Sequence, residues 1–90
     1  MTMSNEDSGQ IASKLKSLVF PRYLGGRDPW SLHGDDDLLN VFDSLQLVRM
    51  TVDLEALFRI RIRNDELVAE NIGTVDRLAS FIARKVKHAS

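Results

Sequence analysis

The sequence predicts a small all-α protein: a four-helix bundle of three longer helices and a short third one, with a long first loop. Three observations predict it. Apolar residues recur at helical spacing in three separate stretches. Prolines, glycines and capping residues stand where those stretches begin and end. The alternation that marks a strand is confined to one short piece, "RIRIR".

The first helix is expected over 10–20. Ile11, Leu15, Leu18 and Val19 fall on one face of it, and Pro21 ends it by disfavouring helix in the residue before. The polar stretch ahead of it, residues 1–9, reads as a flexible tail without the apolar run of a secretory signal. The domain proper is assigned to 10–87. After Pro21 comes a long connection, "PRYLGGRDPWSLHGDDDLLNVF", broken by glycines, prolines and an Asp cluster. A loop this long in so small a domain is often functional. Its apolar residues (Tyr23, Leu24, Trp30, Leu32, Leu38, Leu39, Phe42) suggest that it packs on the body. The Asp cluster at 35–37 suits a cap for a short turn carrying Leu38 and Leu39.

The second helix is expected to begin near Ser44 and to end near Phe58 or Arg59. Leu47, Met50, Thr51, Leu54, Leu57 and Phe58 form its core stripe. Leu45, Val48 and Val52 lie on an adjoining apolar edge that the core need not cover. Gln46, Arg49, Asp53 and Ala56 are expected to face solvent. In "RIRIRND" the pattern puts Ile60 and Ile62 inward and Arg59, Arg61 and Arg63 outward. Asn64 is the expected N-cap of a short helix, "DELVAEN". Gly73 then breaks the chain. Thr74 caps a last helix to about residue 86, with Val75, Leu78, Ala79, Phe81, Ile82 and Val86 apolar.

Composition limits the function classes. The chain has 90 residues, 43% hydrophobic and 28% charged, with a net charge of −1 from 12 basic and 13 acidic residues. One domain is the natural expectation. A nucleic-acid binder of this size would carry a basic excess. The alternating arginines read as a solvated edge, and the six acids between Asp35 and Glu55 would repel phosphate. No apolar run is long enough to span a bilayer. There is no cysteine, which removes thiol catalysis and the usual zinc ligands and fits a reducing cytoplasm. No metal site is expected.

Asp43 and Ser44, at the start of the second helix, admit two readings. Either residue serves as an N-cap, its oxygen accepting from an orphan amide. Alternatively the serine is a handle: a phosphate on its hydroxyl would sit at the positive end of the helix dipole. A hydrolytic serine would need a base within reach. The only histidines, His33 and His88, lie in the loop and the terminal region, outside any recognisable catalytic motif. No catalytic residue is expected.

Beyond these local readings, "FDSLQLVRMTVDLEALFRIRI" resembles the modification site and second helix of acyl and peptidyl carrier proteins. The shared pattern is Asp43-Ser44-Leu45, then Leu54-Glu55, Phe58, and Ile60 with Ile62. "NDELVAENIGTVDRLASFI" resembles the family's third and fourth helices, including the link over 70–75. "DDDLL" resembles the acidic-apolar segment ahead of the serine. The resemblance runs over roughly 11–86 in order and spacing. It implies that Ser44 carries a covalent 4′-phosphopantetheine arm, with Asp43 and Leu45 flanking the attachment point. The arm comes from coenzyme A through a phosphopantetheinyl transferase, and its thiol holds an acyl or aminoacyl group as a thioester. It further implies a non-catalytic, cytoplasmic, monomeric carrier that presents cargo to a loading ligase or transferase and to downstream biosynthetic enzymes. Such partners dock on the second helix, here Leu45, Gln46, Val48, Arg49, Val52 and Glu55.

Two departures tilt the expectation. Arg49 stands where fatty-acid carriers commonly have an acid, and Val41 stands where glycine is frequent. The tilt is toward a dedicated aminoacyl, peptidyl or polyketide-type carrier rather than a housekeeping fatty-acid one. The rival expectation is an unmodified helical protein-interaction module.

Overall fold

A computed structural model describes residues 8–89. It is an all-α bundle, with no strand among the described residues. The tail expected over 1–9 falls mostly outside them; Ser8 and Gly9, its last two residues, are already helical. Helix α1 covers Ser8–Lys14, α2 Leu38–Val41, α3 Ser44–Phe58, α4 Ala69–Ile72 and α5 Val75–Ala89. No helix among the described residues is long and apolar enough to cross a membrane.

The first helix departs from expectation at its end. After Lys14 it widens into a π-helical turn over Leu15–Val19, and the Phe20 amide donates to the Leu15 carbonyl. A π turn holds more residues per turn than an α turn. Val19 is therefore brought over Leu15 on the core side, and Leu18 is turned away from it. Ile11, Leu15, Val19 and Phe20 are buried, while Leu18 is 55% exposed. Pro21 does not stop the chain either: a 3₁₀ turn follows at Phe20–Arg22. Proline suits the opening of such a turn, where its missing N–H is not needed. Phe20 keeps a helical conformation before proline because its ring is locked in the core, 5.5 Å from the Phe42 ring.

The long loop packs as expected through Leu32, Leu38 and Phe42, but Trp30 and Leu39 point outward. Gly25 and Gly26 turn it with positive φ, a region open to glycine without steric penalty. The Asp37 carboxylate caps α2, accepting from the Leu39 amide at 3.0 Å. Two backbone hydrogen bonds then pin the loop to the α4–α5 junction: Leu38 N–H to the Gly73 carbonyl at 2.8 Å, and Asp76 N–H to the Gly34 carbonyl at 2.9 Å. Val41 is the last residue of α2 and needs no positive φ, so valine is accommodated there.

Helix α3 spans the expected residues. Its stripe is buried at Met50, Leu54 and Phe58, half-buried at Leu47 and Thr51, and exposed at Leu57. Arg59 closes it in the left-handed region, with φ 57°. Beyond it, Ile60 is buried and Ile62 half-buried, with the three arginines outside. The expected short helix is displaced. Asn64 is not its cap but the first residue of a 3₁₀ turn, Asn64–Glu66, and the helix itself is the single turn α4. Helix α5 runs past residue 86 to Ala89. The Thr74 hydroxyl accepts from the Arg77 amide at 3.1 Å, as a cap should. Both α1 and α4 pack on α5.

The 3₁₀ turn is tied down by Glu66. It accepts from the Arg63 amide at 2.9 Å and meets Lys85 Nζ at 2.7 Å. The Arg63 amide first, and Lys85 second, hold the Glu66 carboxyl below its ordinary range. A carboxylate lowered in the native state stabilises fully above its unfolded value, and that contribution is lost as pH falls through the native one. Glu66→Gln is therefore expected to flatten the acid limb of a plot of urea midpoint against pH, below about pH 5. Coincident acid limbs for the two proteins would refute the assignment.

Candidate functional site

The chain enters α3 through Phe42 and Asp43. Phe42 is buried between the Phe20 ring and the Tyr23 ring, which stands edge-on at 6.5 Å. That anchor fixes where the next residues emerge. Asp43 is the N-cap in extended conformation, and its carboxylate accepts from the Gln46 amide at 2.8 Å. Gln46 returns the bond, its side-chain oxygen accepting from the Asp43 amide at 3.0 Å. This reciprocal capping box satisfies two otherwise orphaned donors. The Asp43-x-x-Gln46 spacing was its signature in the sequence.

Of the two capping candidates, Asp43 is the one that caps. Ser44 is the first residue of the helix. It is exposed, and its hydroxyl makes no hydrogen bond among the described residues. The backbone amides of Ser44 and Leu45 likewise find no acceptor there. A free hydroxyl and two free amides thus lie together at the positive end of a 15-residue helix. Asp43→Ala is expected to lower stability by about 1 kcal/mol through loss of the cap. A chemical-denaturation midpoint equal to that of the parent would contradict the geometry.

The outward face of α3 is apolar. Leu45 is 60%, Val48 53% and Val52 61% exposed, with Arg49 and Ala56 beside them. Arg49 is exposed and forms no ion pair among the described residues. Gln46 and Asp53, expected in solvent, are instead half-buried. The start of the long loop lies over them. Gln46 Nε2 donates to the Tyr23 carbonyl at 3.2 Å, the Tyr23 hydroxyl donates to Asp53 at 2.5 Å, and Arg22 reaches the other Asp53 oxygen at 3.2 Å. Burial first, and the bond to the Asp53 carboxylate second, raise the Tyr23 phenol above its ordinary value. Tyr23 and Arg22 are therefore positioning residues for the helix that bears Ser44. Nothing in the local pattern marked them, because their partners lie about thirty residues away.

Glu55 is also engaged inside the fold. Its carboxylate accepts from the Ile62 amide at 2.8 Å, and its carbonyl accepts from the Arg59 and Ile60 amides. Of the residues expected to meet partners, Leu45, Val48, Arg49 and Val52 stand free on the surface; Gln46 and Glu55 are tied to the chain.

Beneath α3, a narrow, mostly apolar seam is lined by Leu38, Leu47, Met50, Thr51, Leu54, Ile72 and Leu78, with free space of about 10 Å³. That is the space of a single water at most. Away from the serine, His33, Asp35 and Asp36 bring one ligand atom each within 4.8 Å of one another. Asp36 is already committed there to the His33 amide at 2.8 Å, and all three belong to the loop's surface. No protein-family model matches this sequence, and no curated protein matches it.

Proposed function

We propose that this chain is a carrier protein. Ser44 would bear a 4′-phosphopantetheine arm, installed from coenzyme A by a phosphopantetheinyl transferase. The arm would supply a thiol on which an acyl or aminoacyl group rides as a thioester. The protein would catalyse nothing and would present that cargo to a loading ligase or transferase and to downstream biosynthetic enzymes. The observation that carries this reading is the free, exposed Ser44 hydroxyl at the head of α3, relieved of capping by Asp43 and Gln46. A serine needed only as a cap would be expected to hold the cap itself.

The surroundings fit the group. The unpartnered amides of Ser44 and Leu45 suit a phosphodiester oxygen. Asp43 and Leu45 flank the attachment point. The exposed Leu45, Val48 and Val52 suit an apolar groove on a partner, with Arg49 at its edge. The seam beneath α3 has no room for a chain of several carbons, which favours cargo held outside the bundle. The thiol of such an arm would stay reduced in a cytoplasmic, monomeric carrier.

The outward face of α3 carries one unpaired arginine, while Asp53 and Glu55 are engaged within the fold. That supports a dedicated aminoacyl, peptidyl or polyketide-type carrier over a housekeeping fatty-acid one. Comparable loading by a fatty-acid malonyl transferase and by aminoacyl ligases would remove this refinement. The experiment for the core proposal is intact mass after incubation with coenzyme A and a broad-specificity phosphopantetheinyl transferase. A gain of one phosphopantetheine on the parent and none on Ser44→Ala is the expected result. No gain on folded protein, with a transferase encoded near it failing too, would sink the proposal.

One observation favours a second reading, an unmodified interaction module: an apolar outward helix face suits any partner groove. That module would keep its binding partner in Ser44→Ala, whereas a carrier would lose its cargo.

A further inference from the structure

At the far end of α3, about 22 Å from Ser44 at the helical rise of 1.5 Å per residue, two cationic segments meet. Arg59, Ile60 and Arg61, just after the helix, and Lys85 and His88, from the end of α5, line one cleft of about 300 Å³. They are some two dozen residues apart in sequence. The lining contains no carboxylate. A neighbouring cleft of about 370 Å³ shares Lys85 and His88 and adds Arg84, together with the Glu66 carboxylate that pairs with Lys85.

The charges are unevenly committed. Lys85 meets Glu66 at 2.7 Å, and Arg63 outside the cleft is neutralised by Asp65 at 2.6 Å. Arg59 and Arg61 are exposed and have no ion pair or side-chain hydrogen bond among the described residues. Cations do suit helix C-termini, and that ordinary role accounts for part of the pattern. Each helix end, however, offers only about half a negative charge. The ends of α3 and α5 together offer about one, so about one of the two guanidinium charges is left in surplus. Arg59 also occupies a left-handed position, φ 57°, which glycine fills without the clash a side chain brings. The left-handed backbone of Arg59 therefore carries a conformational cost that no ion pair or hydrogen bond of its side chain among the described residues offsets.

We propose that this cleft binds a compact diphosphate-bearing anion, as inorganic pyrophosphate or as the diphosphate of a nucleotide. Guanidinium groups present paired donors that match phosphate oxygens. A ligand with two or more negative charges on a small group fits a cleft of this volume, at the low end of small-molecule sites. Ile60 supplies the apolar wall. The site is independent of any modification at Ser44.

The test is titration of the full chain with pyrophosphate and, separately, with ADP, followed by calorimetry and amide NMR against sodium chloride of matched ionic strength. Saturable one-to-one binding is expected, with shifts centred on Arg59, Ile60, Arg61, Lys85 and His88. Equal affinity for the two ligands assigns the diphosphate alone; tighter ADP adds the nucleoside. The double variant Arg59→Gly/Arg61→Ala is expected to lose about tenfold or more in affinity, since a charged hydrogen bond carries at least that. Its melting temperature should be unchanged or raised, because glycine relieves the left-handed position. Should it melt lower, Arg61→Gln alone, on an exposed coil residue, decides in the same way. Shifts that follow ionic strength alone, or undiminished affinity in the variant, would overturn the proposal.

Discussion

Ser44→Ala is expected to abolish phosphopantetheine incorporation completely while leaving the fold essentially untouched. In the proposed carrier the arm would attach through the hydroxyl itself, so no residual modification should remain. The stability cost should be within about 0.5 kcal/mol, the range of ordinary surface substitutions. That small figure follows from the cap geometry. Asp43 and Gln46 satisfy each other's amides, and the Ser44 hydroxyl bonds to nothing among the described residues. Intact mass and a urea melt on the same sample read both halves. A stability loss as large as that of Asp43→Ala would mean that Ser44 shares the capping role. A mass gain persisting in the variant would move the modification to another residue. Either result would undo the assignment of roles at the head of α3.

Phe42→Ala is expected to cost about 3–5 kcal/mol, the usual range for a buried aromatic truncated to alanine. A domain of this size has roughly 5–15 kcal/mol in total, so the variant would be at the edge of unfolding at room temperature. Phe42 is 1% exposed and, from the far end of the first connection, touches two rings at its start, Phe20 and Tyr23. It lies two residues before Ser44, so its loss should also loosen the entry into α3. Denaturant midpoints and the protection of the Asp43 and Gln46 amides from hydrogen exchange would measure the two effects. A cost below about 1 kcal/mol would be a surface value and would show that Phe42 is not the anchor. The conservative Phe42→Leu should recover much of the loss, because shape-tolerant apolar swaps are better accepted in cores.

The bounds of α3, the caps at Asp37 and Thr74, the break at Gly73 and the inward isoleucines after Arg59 were legible in the sequence. Each rests on an interaction spanning a few residues: a carboxylate and the amide two or three positions on, or an apolar repeat around a single helix axis. The serine's place at the head of a helix was legible for the same reason. The choice between Asp43 and Ser44 as cap was not settled by residue type, since both suit the position. The mutual bonds of Asp43 and Gln46 settled it.

Other features had no local signature. A periodicity of 3.6 assumed a uniform helix, and the π turn at Leu15–Val19 rotated Leu18 out of the core. Gln46 and Asp53 looked like a solvent face because the pattern describes angles around α3 and not what lies against it. The loop segment carrying Arg22 and Tyr23 covers that side, so the outermost face of the helix is the apolar one of Leu45, Val48 and Val52. The meeting of Arg59 and Arg61 with Lys85 and His88 is likewise a product of how α3 and α5 pack. The sequence by itself determined where helices start, stop and turn their apolar sides, because those preferences act over one or two turns. Only the tertiary structure decided which polar groups stay free and which distant charges share a cleft, because both depend on contacts between residues that are far apart in the chain.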